Sequence, residues 1–167
     1  MVEHGGNTIG VAALLRMVPE QGIAVAMLTN GGAAGKLIDT LLELLFSDLT
    51  AIEPAPALPS PHPDTRVPDP RRYLGRYQSR PTLHQVTLDE NDRLWLTASP
   101  RAEAVTMAET AGVTTDPQRH ELRPIAGDTF VLTNPSGAPI QAVEFLGTDA
   151  TGRARFLHTG HAAPRTD

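Results

Sequence analysis

The stretch "HGGNTIGVAALLRMVPEQGIAVAMLTNGG", His4 to Gly32, decides how the rest of the chain is read. Two apolar runs, Thr8 to Val18 and Ile23 to Asn30, flank Pro19-Glu20-Gln21-Gly22, whose Pro and Gly are turn formers. The pattern predicts a β-hairpin. At a period of two, Ile9, Val11, Ala13, Leu15 and Met17 share one face. Ala12, Leu14 and Val18 line the other, diluted only by Thr8, Gly10 and Arg16. Both faces are expected to be buried, as in a central strand pair.

Beyond Gly35, the segment Lys36 to Thr50 repeats Ile38, Leu41, Leu42, Leu45 and Leu49 at helical spacing. Lys36, Asp39, Thr40, Glu43 and Ser47 collect opposite, so an amphipathic helix of about four turns is predicted. One helix covers one face of a sheet that is apolar on both, and a lone hairpin is marginal in water. Met1 to Thr50 is therefore expected to be the edge of a larger α/β core.

Residues 51–70, "AIEPAPALPSPHPDTRVPDP", hold seven prolines, a density that favours extended chain. They are expected to form a plain spacer rather than a Pro-rich ligand. Short β-like runs follow: "YLGRYQS", "HQVTL", "RLWLTA", "AVTM", "HELRPI", "TFVLT", "QAVEFL" and "RARFLHT". Breaks such as "DEND", "NPSGAP" and "TDATG" separate them, predicting an antiparallel meander. A small lipocalin-like barrel of about eight strands would remove the exposed edges. Trp95, Phe130, Phe145 and Phe156 are its expected core anchors. The fold class expected is thus α+β: a hairpin and helix over 1–50, a linker over 51–70 and a β-barrel over 71–167.

Bulk properties narrow the function. The chain has 167 residues and a formal charge of -5, with a pI near 5.6, so no basic field invites phosphate backbones or anionic lipid. Neither nucleic acid nor membrane is an expected partner. Without Cys there is no disulfide, thiolate metal site or cysteine nucleophile. Apolar runs fall short of the ~18 residues of a membrane span, and the start lacks the regions of a signal peptide. The chain reads as soluble, with the cytoplasm as the default compartment.

Several motifs carry less than they promise. In "LTNGGAAGKLID" a Gly-rich turn precedes Lys36, but Asn30 stands where a P-loop needs its first Gly, and Leu37 replaces the hydroxyl that ligates Mg²⁺. A strand-to-helix turn is expected there. His158 and His161 are three apart with no carboxylate beside them, and His62, His84 and His120 are scattered, so no metal site is expected. "DEND" (Asp89 to Asp92) lacks the calcium-loop pattern and reads as a hairpin turn. No cofactor is expected.

The remaining motif is His4-Gly5-Gly6, small residues at a strand start that let a ligand approach the sheet edge. With the Pro19 to Asn30 run, it resembles the third active-site motif and following hairpin of the serine β-lactamase-like hydrolases. That family includes class C β-lactamases, penicillin-binding proteins and esterases. Tyr73 to Tyr77, "YLGRY", resembles the β-domain appended to many members. The resemblance implies catalytic positions at His4 and Gly6 and substrate-binding positions at Gly5 and Asn7. It also implies acyl transfer and hydrolysis of an ester, amide or β-lactam in a complete protein.

The nucleophile motif S-x-x-K is absent, since Ser47, Ser60, Ser79, Ser99 and Ser136 lack a Lys three residues on. Y-x-N is absent as well. A C-terminal fragment, inactive alone, is therefore expected. Its partners would be the missing catalytic portion or a second copy meeting the exposed sheet. The alternative is a non-catalytic β-barrel module that binds a small ligand or docks on a partner.

Overall fold

The computed structural model describes residues 1–8, 11–30, 34–49, 58–61, 65, 67–110 and 115–167. Two compact units divide the chain, Met1–Pro56 and Ala57–Asp167. The expected Pro-rich linker lies largely outside the described residues, as does the turn at 31–33.

In the first unit, strands β1 (Val2–Thr8), β2 (Val11–Val18) and β3 (Ile23–Thr29) form an antiparallel sheet in that order. Pro19–Gln21 makes a single 3-10 turn that Gly22 ends at φ +67, so the register runs from Val18 opposite Ile23 to Ala12 opposite Thr29. Helix α1 (Ala34–Leu49) follows. Its Ile38 and Leu42 form a core with Leu14, Val18, Ile23, Val25 and Met27. These sheet residues stand at alternate positions on one face.

The second unit is an eight-stranded antiparallel sheet. Its strands are β4 (Gly75–Gln78), β5 (Thr82–Leu88), β6 (Leu94–Pro100), β7 (Gln118–Ala126), β8 (Thr129–Thr133), β9 (Pro139–Thr148), β10 (Ala154–His158) and β11 (Ala162–Pro164). Each pairs with the next. Its ends come together where Tyr77 bridges to Arg165 and the Thr166 N–H donates to the Arg76 carbonyl at 2.9 Å. The sheet is thus nearly closed, which satisfies most of the backbone groups an open edge would expose. Inside it Tyr73, Tyr77, Phe130 and Phe145 pack together with Leu96, Leu122, Val143 and Leu157. Tyr73 meets Phe130 edge-on at 5.0 Å, and Phe130 meets Phe145 at 5.4 Å.

One loop design recurs three times. In Asp89–Arg93, Asn134–Ala138 and Asp149–Arg153, the first side chain accepts backbone N–H bonds from the third and fifth residues. The first and fifth residues also pair through their backbones. The fourth residue is left-handed in each: Asp92 at φ 58, Gly137 at φ 82 and Gly152 at φ 84. This is a type I turn closed by a bulge, and Asx side chains favour it because they replace backbone partners.

Several expectations are corrected. The described residues are mostly β, with eleven strands against two α-helices, rather than α+β with a hairpin and helix as one half. The first unit gains β1 as a third strand because His4 to Thr8 continues the ladder onto β2 despite its glycines. "AVTM" lies not in a strand but in helix α2 (Ala102–Thr110), where Ala, Glu and Met favour helix over the β-branched pair. Of "YLGRY", Tyr73 belongs to a 3-10 turn, Pro70–Tyr73, that places it in the core, and the strand starts only at Gly75. Trp95 is no core anchor: it lies on the outer face of β6, with Arg119 over its ring at 4.2 Å. Phe156 is only half-buried.

Candidate ligand-facing edge of the three-stranded sheet

β1 is an edge strand of the described sheet, pairing on one side with β2 alone. His4 stands opposite Leu15, Gly5 opposite Leu14, Gly6 opposite Ala13 and Asn7 opposite Ala12. Because successive strand residues alternate, His4 and Gly6 share the face carrying Leu15 and Ala13. Gly5 shares the face of Leu14, which packs toward α1. The structure therefore groups the two expected catalytic positions and sets Gly5 on the other side. For Asn7 only the register is described.

Among the described residues of this unit, none packs over the face with His4 and Gly6. Val2, Val11, Leu15 and Leu28 are all exposed there, Leu28 to 81%. Its register rows, His4-Leu15-Ala26 and Gly6-Ala13-Leu28, form a nearly continuous apolar surface with one imidazole at its rim. A Cβ placed on Gly6 would meet nothing within 4 Å. Glycine weakens a strand interior, and no packing among the described residues requires it at this position. On the opposite side Arg16 and Glu3, register partners, form an ion pair that ties β1 to β2.

The other chemistry-bearing side chains among the described residues are scattered or engaged in turns. His158 and His161 are exposed in the β10–β11 hairpin, and no group of three metal-binding side chains occurs among the described residues. The hydroxyls of Ser79 and Ser136 are spent on the Thr82 carbonyl and the Asn134 side chain. Asp89 is a turn residue. Desolvation pushes its carboxyl up, but the N–H groups of Arg93, Trp95 and Asn91 outweigh that and hold it well below the usual carboxylate range. The described pockets of the barrel unit are open clefts of about 660 Å³ and 600 Å³. They mix acidic and basic side chains, such as Glu121 with Arg93 and Asp69 with Arg153, and hold no nucleophile beside a base.

Sequence reasoning missed a second apolar surface. Leu37, Leu41, Leu44 and Leu45 of α1 are exposed, and the helical pattern alone placed Leu41 and Leu45 in the same buried stripe as Ile38 and Leu42. The width of the leucine-rich arc was the signal available, since a single sheet fills only a narrow part of it.

The architecture is thus an antiparallel, nearly closed β-sheet domain joined to a three-stranded sheet with one helix. No family model and no curated protein matches the chain. Among solved structures it is similar to SurE with D-Leu, at 23% identity and a TM-score of 0.64, covering 98% of this chain and 35% of that one. It is similar also to a second SurE structure, at 23% identity and a TM-score of 0.62, covering 98% of this chain and 34% of that one. The chain thus spans about a third of the length of the SurE chains it matches.

This likeness corrects the family expectation. The structures matched are SurE, not a β-lactamase, penicillin-binding protein or esterase, and nothing in the comparisons supports a serine β-lactamase-like hydrolase fragment. A stand-alone ligand-binding or docking barrel is not matched specifically either. The physical reason lies in what Pro19 to Asn30 encodes. Its Pro, its Gly at φ +67 and its alternating apolar residues specify a tight hairpin, and that geometry is not tied to one chemistry.

Proposed function

We propose that this chain is the edge-strand and barrel portion of a SurE-like protein that binds a D-amino acid, with β1 facing the ligand. The match of nearly the whole chain to one third of SurE with D-Leu carries this reading. The uncovered sheet face and the open space at Gly6 support it, because both suit a neighbour supplied by the remaining two thirds. His4 stands at the rim of that face, placed to meet a ligand's carboxylate, and Gly6 leaves room for its side chain.

The test is titration of the isotope-labelled chain with D-leucine and L-leucine, followed by amide NMR. Shifts confined to His4–Gly6 and their β2 partners, larger for the D enantiomer and lost in Gly6→Val, are expected. Equal shifts for both enantiomers, or none in β1, would overturn the proposal.

A further inference from the structure

We propose that the cleft between the Pro70–Tyr73 turn and the Asp149–Arg153 loop is a binding site for a small ligand bearing a phosphate group. Every residue involved belongs to the barrel unit, so the site is independent of the reading of β1.

The cleft measures about 600 Å³ and is lined by Arg71, Arg72 and Arg153, with Asp69 as its one carboxylate. Two of these guanidiniums are held in place by the fold. Arg72 gives an N–H to Asp128 at 3.1 Å, and its guanidinium carbon lies 5.2 Å from the centre of the Tyr73 ring. Arg153 gives an N–H to the Leu74 carbonyl at 3.2 Å. Asp128 and Asp149 do not line the cleft, and Asp149 is engaged with the N–H groups of its own loop. Arg71 stands exposed at the rim.

Donors outnumber acceptors around this cleft. The Leu74 carbonyl takes N–H groups from both Arg153 and Arg165. Arg165 turns the same nitrogen, Nη2, to the Arg72 carbonyl and the Tyr77 hydroxyl as well. Nε of Arg72 and both Nε and Nη1 of Arg165 are buried with no hydrogen-bond partner among the described residues. Guanidiniums crowded together with buried, unpaired N–H groups are costly, and a negative charge set beside them offsets that cost.

The class of anion follows from shape and charge. Guanidiniums that reach the cleft from two separate loops offer N–H groups from different directions. That arrangement suits the tetrahedrally disposed oxygens of a phosphate group better than the two coplanar ones of a carboxylate. Asp69 repels additional negative charge, so a polyanion such as nucleic acid is disfavoured and a single phosphate group fits. Free phosphate and a small phosphate ester present the same oxygens, and the titration separates them.

The full isotope-labelled chain is titrated with inorganic phosphate, glycerol phosphate and acetate at constant ionic strength, and amide NMR follows Arg71, Arg72, Gly152 and Arg153. We expect saturable shifts at these residues with both phosphates and none with acetate. Tighter binding of glycerol phosphate assigns the site to a phosphate ester, and equal or weaker binding assigns it to the free anion. Arg71→Gln with Arg153→Gln should weaken binding about tenfold or more. Asp69→Asn should strengthen it, a readout that holds even where the arginine pair fails to fold. Arg80→Gln, outside the cleft, should leave it unchanged. No saturable shift with either phosphate, equal shifts with acetate, binding that survives loss of the arginine pair, or binding that Asp69→Asn fails to strengthen would each overturn the proposal.

Discussion

Tyr73 and Asp128 stand 55 residues apart in sequence and meet phenol to carboxylate at 2.6 Å. Asp128 also takes an Arg72 guanidinium N–H at 3.1 Å, so one carboxylate ties both ends of the Arg72-Tyr73 pair to the β7–β8 turn. The Pro70–Tyr73 turn is held by this contact and by the Tyr77 hydroxyl, which donates to the Tyr73 carbonyl at 2.9 Å.

That relationship sets an alkaline limit. Burial, then the bond to Asp128 and its charge, push the Tyr73 phenol from 10.0 up to about 12. The folded chain keeps a proton that the unfolded chain releases near 10.0, so this stabilisation is complete below that pH and is lost as pH rises through about 12. The urea midpoint should fall across this window. Asp128→Asn should make the fall shallower and cost about 1–3 kcal/mol at neutral pH. A wild-type midpoint that stays flat across the window would contradict the assignment.

On the acid side the sensitive group is His84. It is buried in the barrel wall, its Nδ1 has no hydrogen-bond partner among the described residues, and burial lowers its pKa from 6.5. The unfolded chain binds the proton first, so the stabilisation present above 6.5 is lost as pH falls through the depressed folded value. His84→Leu should flatten the decline in urea midpoint between neutral and mildly acidic buffer. If the slope is the same in parent and variant, another group drives the acid transition.

Gly75 tests barrel closure. Its φ is +140, and a Cβ there would sit 2.6 Å from an Asp167 carboxylate oxygen. Gly75→Ala should cost about 1–3 kcal/mol from backbone strain, read as a lower thermal midpoint. Combining it with Asp167→Ala removes only the steric part, so the double variant should recover some stability and not all of it. Full recovery would mean the backbone angle carries no cost.

Phe145 contacts Tyr73, Tyr77 and Phe130, at 4.6, 5.6 and 5.4 Å between ring centres. Phe145→Ala should cost about 3–5 kcal/mol in equilibrium urea unfolding of the barrel unit. A loss below about 1 kcal/mol, the scale of a surface change, would show that the cluster relaxes around the cavity.

Much of this was legible in the residues. The hairpin pairing Val18 with Ile23 was plain, because alternation and a Pro-Gly turn coincide there. The three Asx loops were visible as breaks, since turn residues interrupt the apolar runs. Less legible was β11, only Ala162–Pro164, whose pairing is decided by Tyr77 and Arg76 far away in sequence. Trp95 misled because its size suggests burial, whereas Asp89 accepts its indole N–H at 3.0 Å and holds it on the outer wall. At the candidate edge, His4 and Gly6 were singled out through a resemblance, and only the register shows that they share a face while Gly5 lies on the face toward α1.

The three look-alike loops bear on how the barrel assembles in time. Each satisfies its polar groups within five residues, so its hairpin closes a very short loop at little entropic cost. Joining β4 to β11 closes 88 residues between Tyr77 and Arg165. Such a long-range pairing forms slowly compared with the hairpins. Substitutions at the Asx positions should therefore slow folding, whereas loosening the Arg76–Thr166 seam should mainly hasten unfolding. The barrel begins at its turns and is locked at its seam.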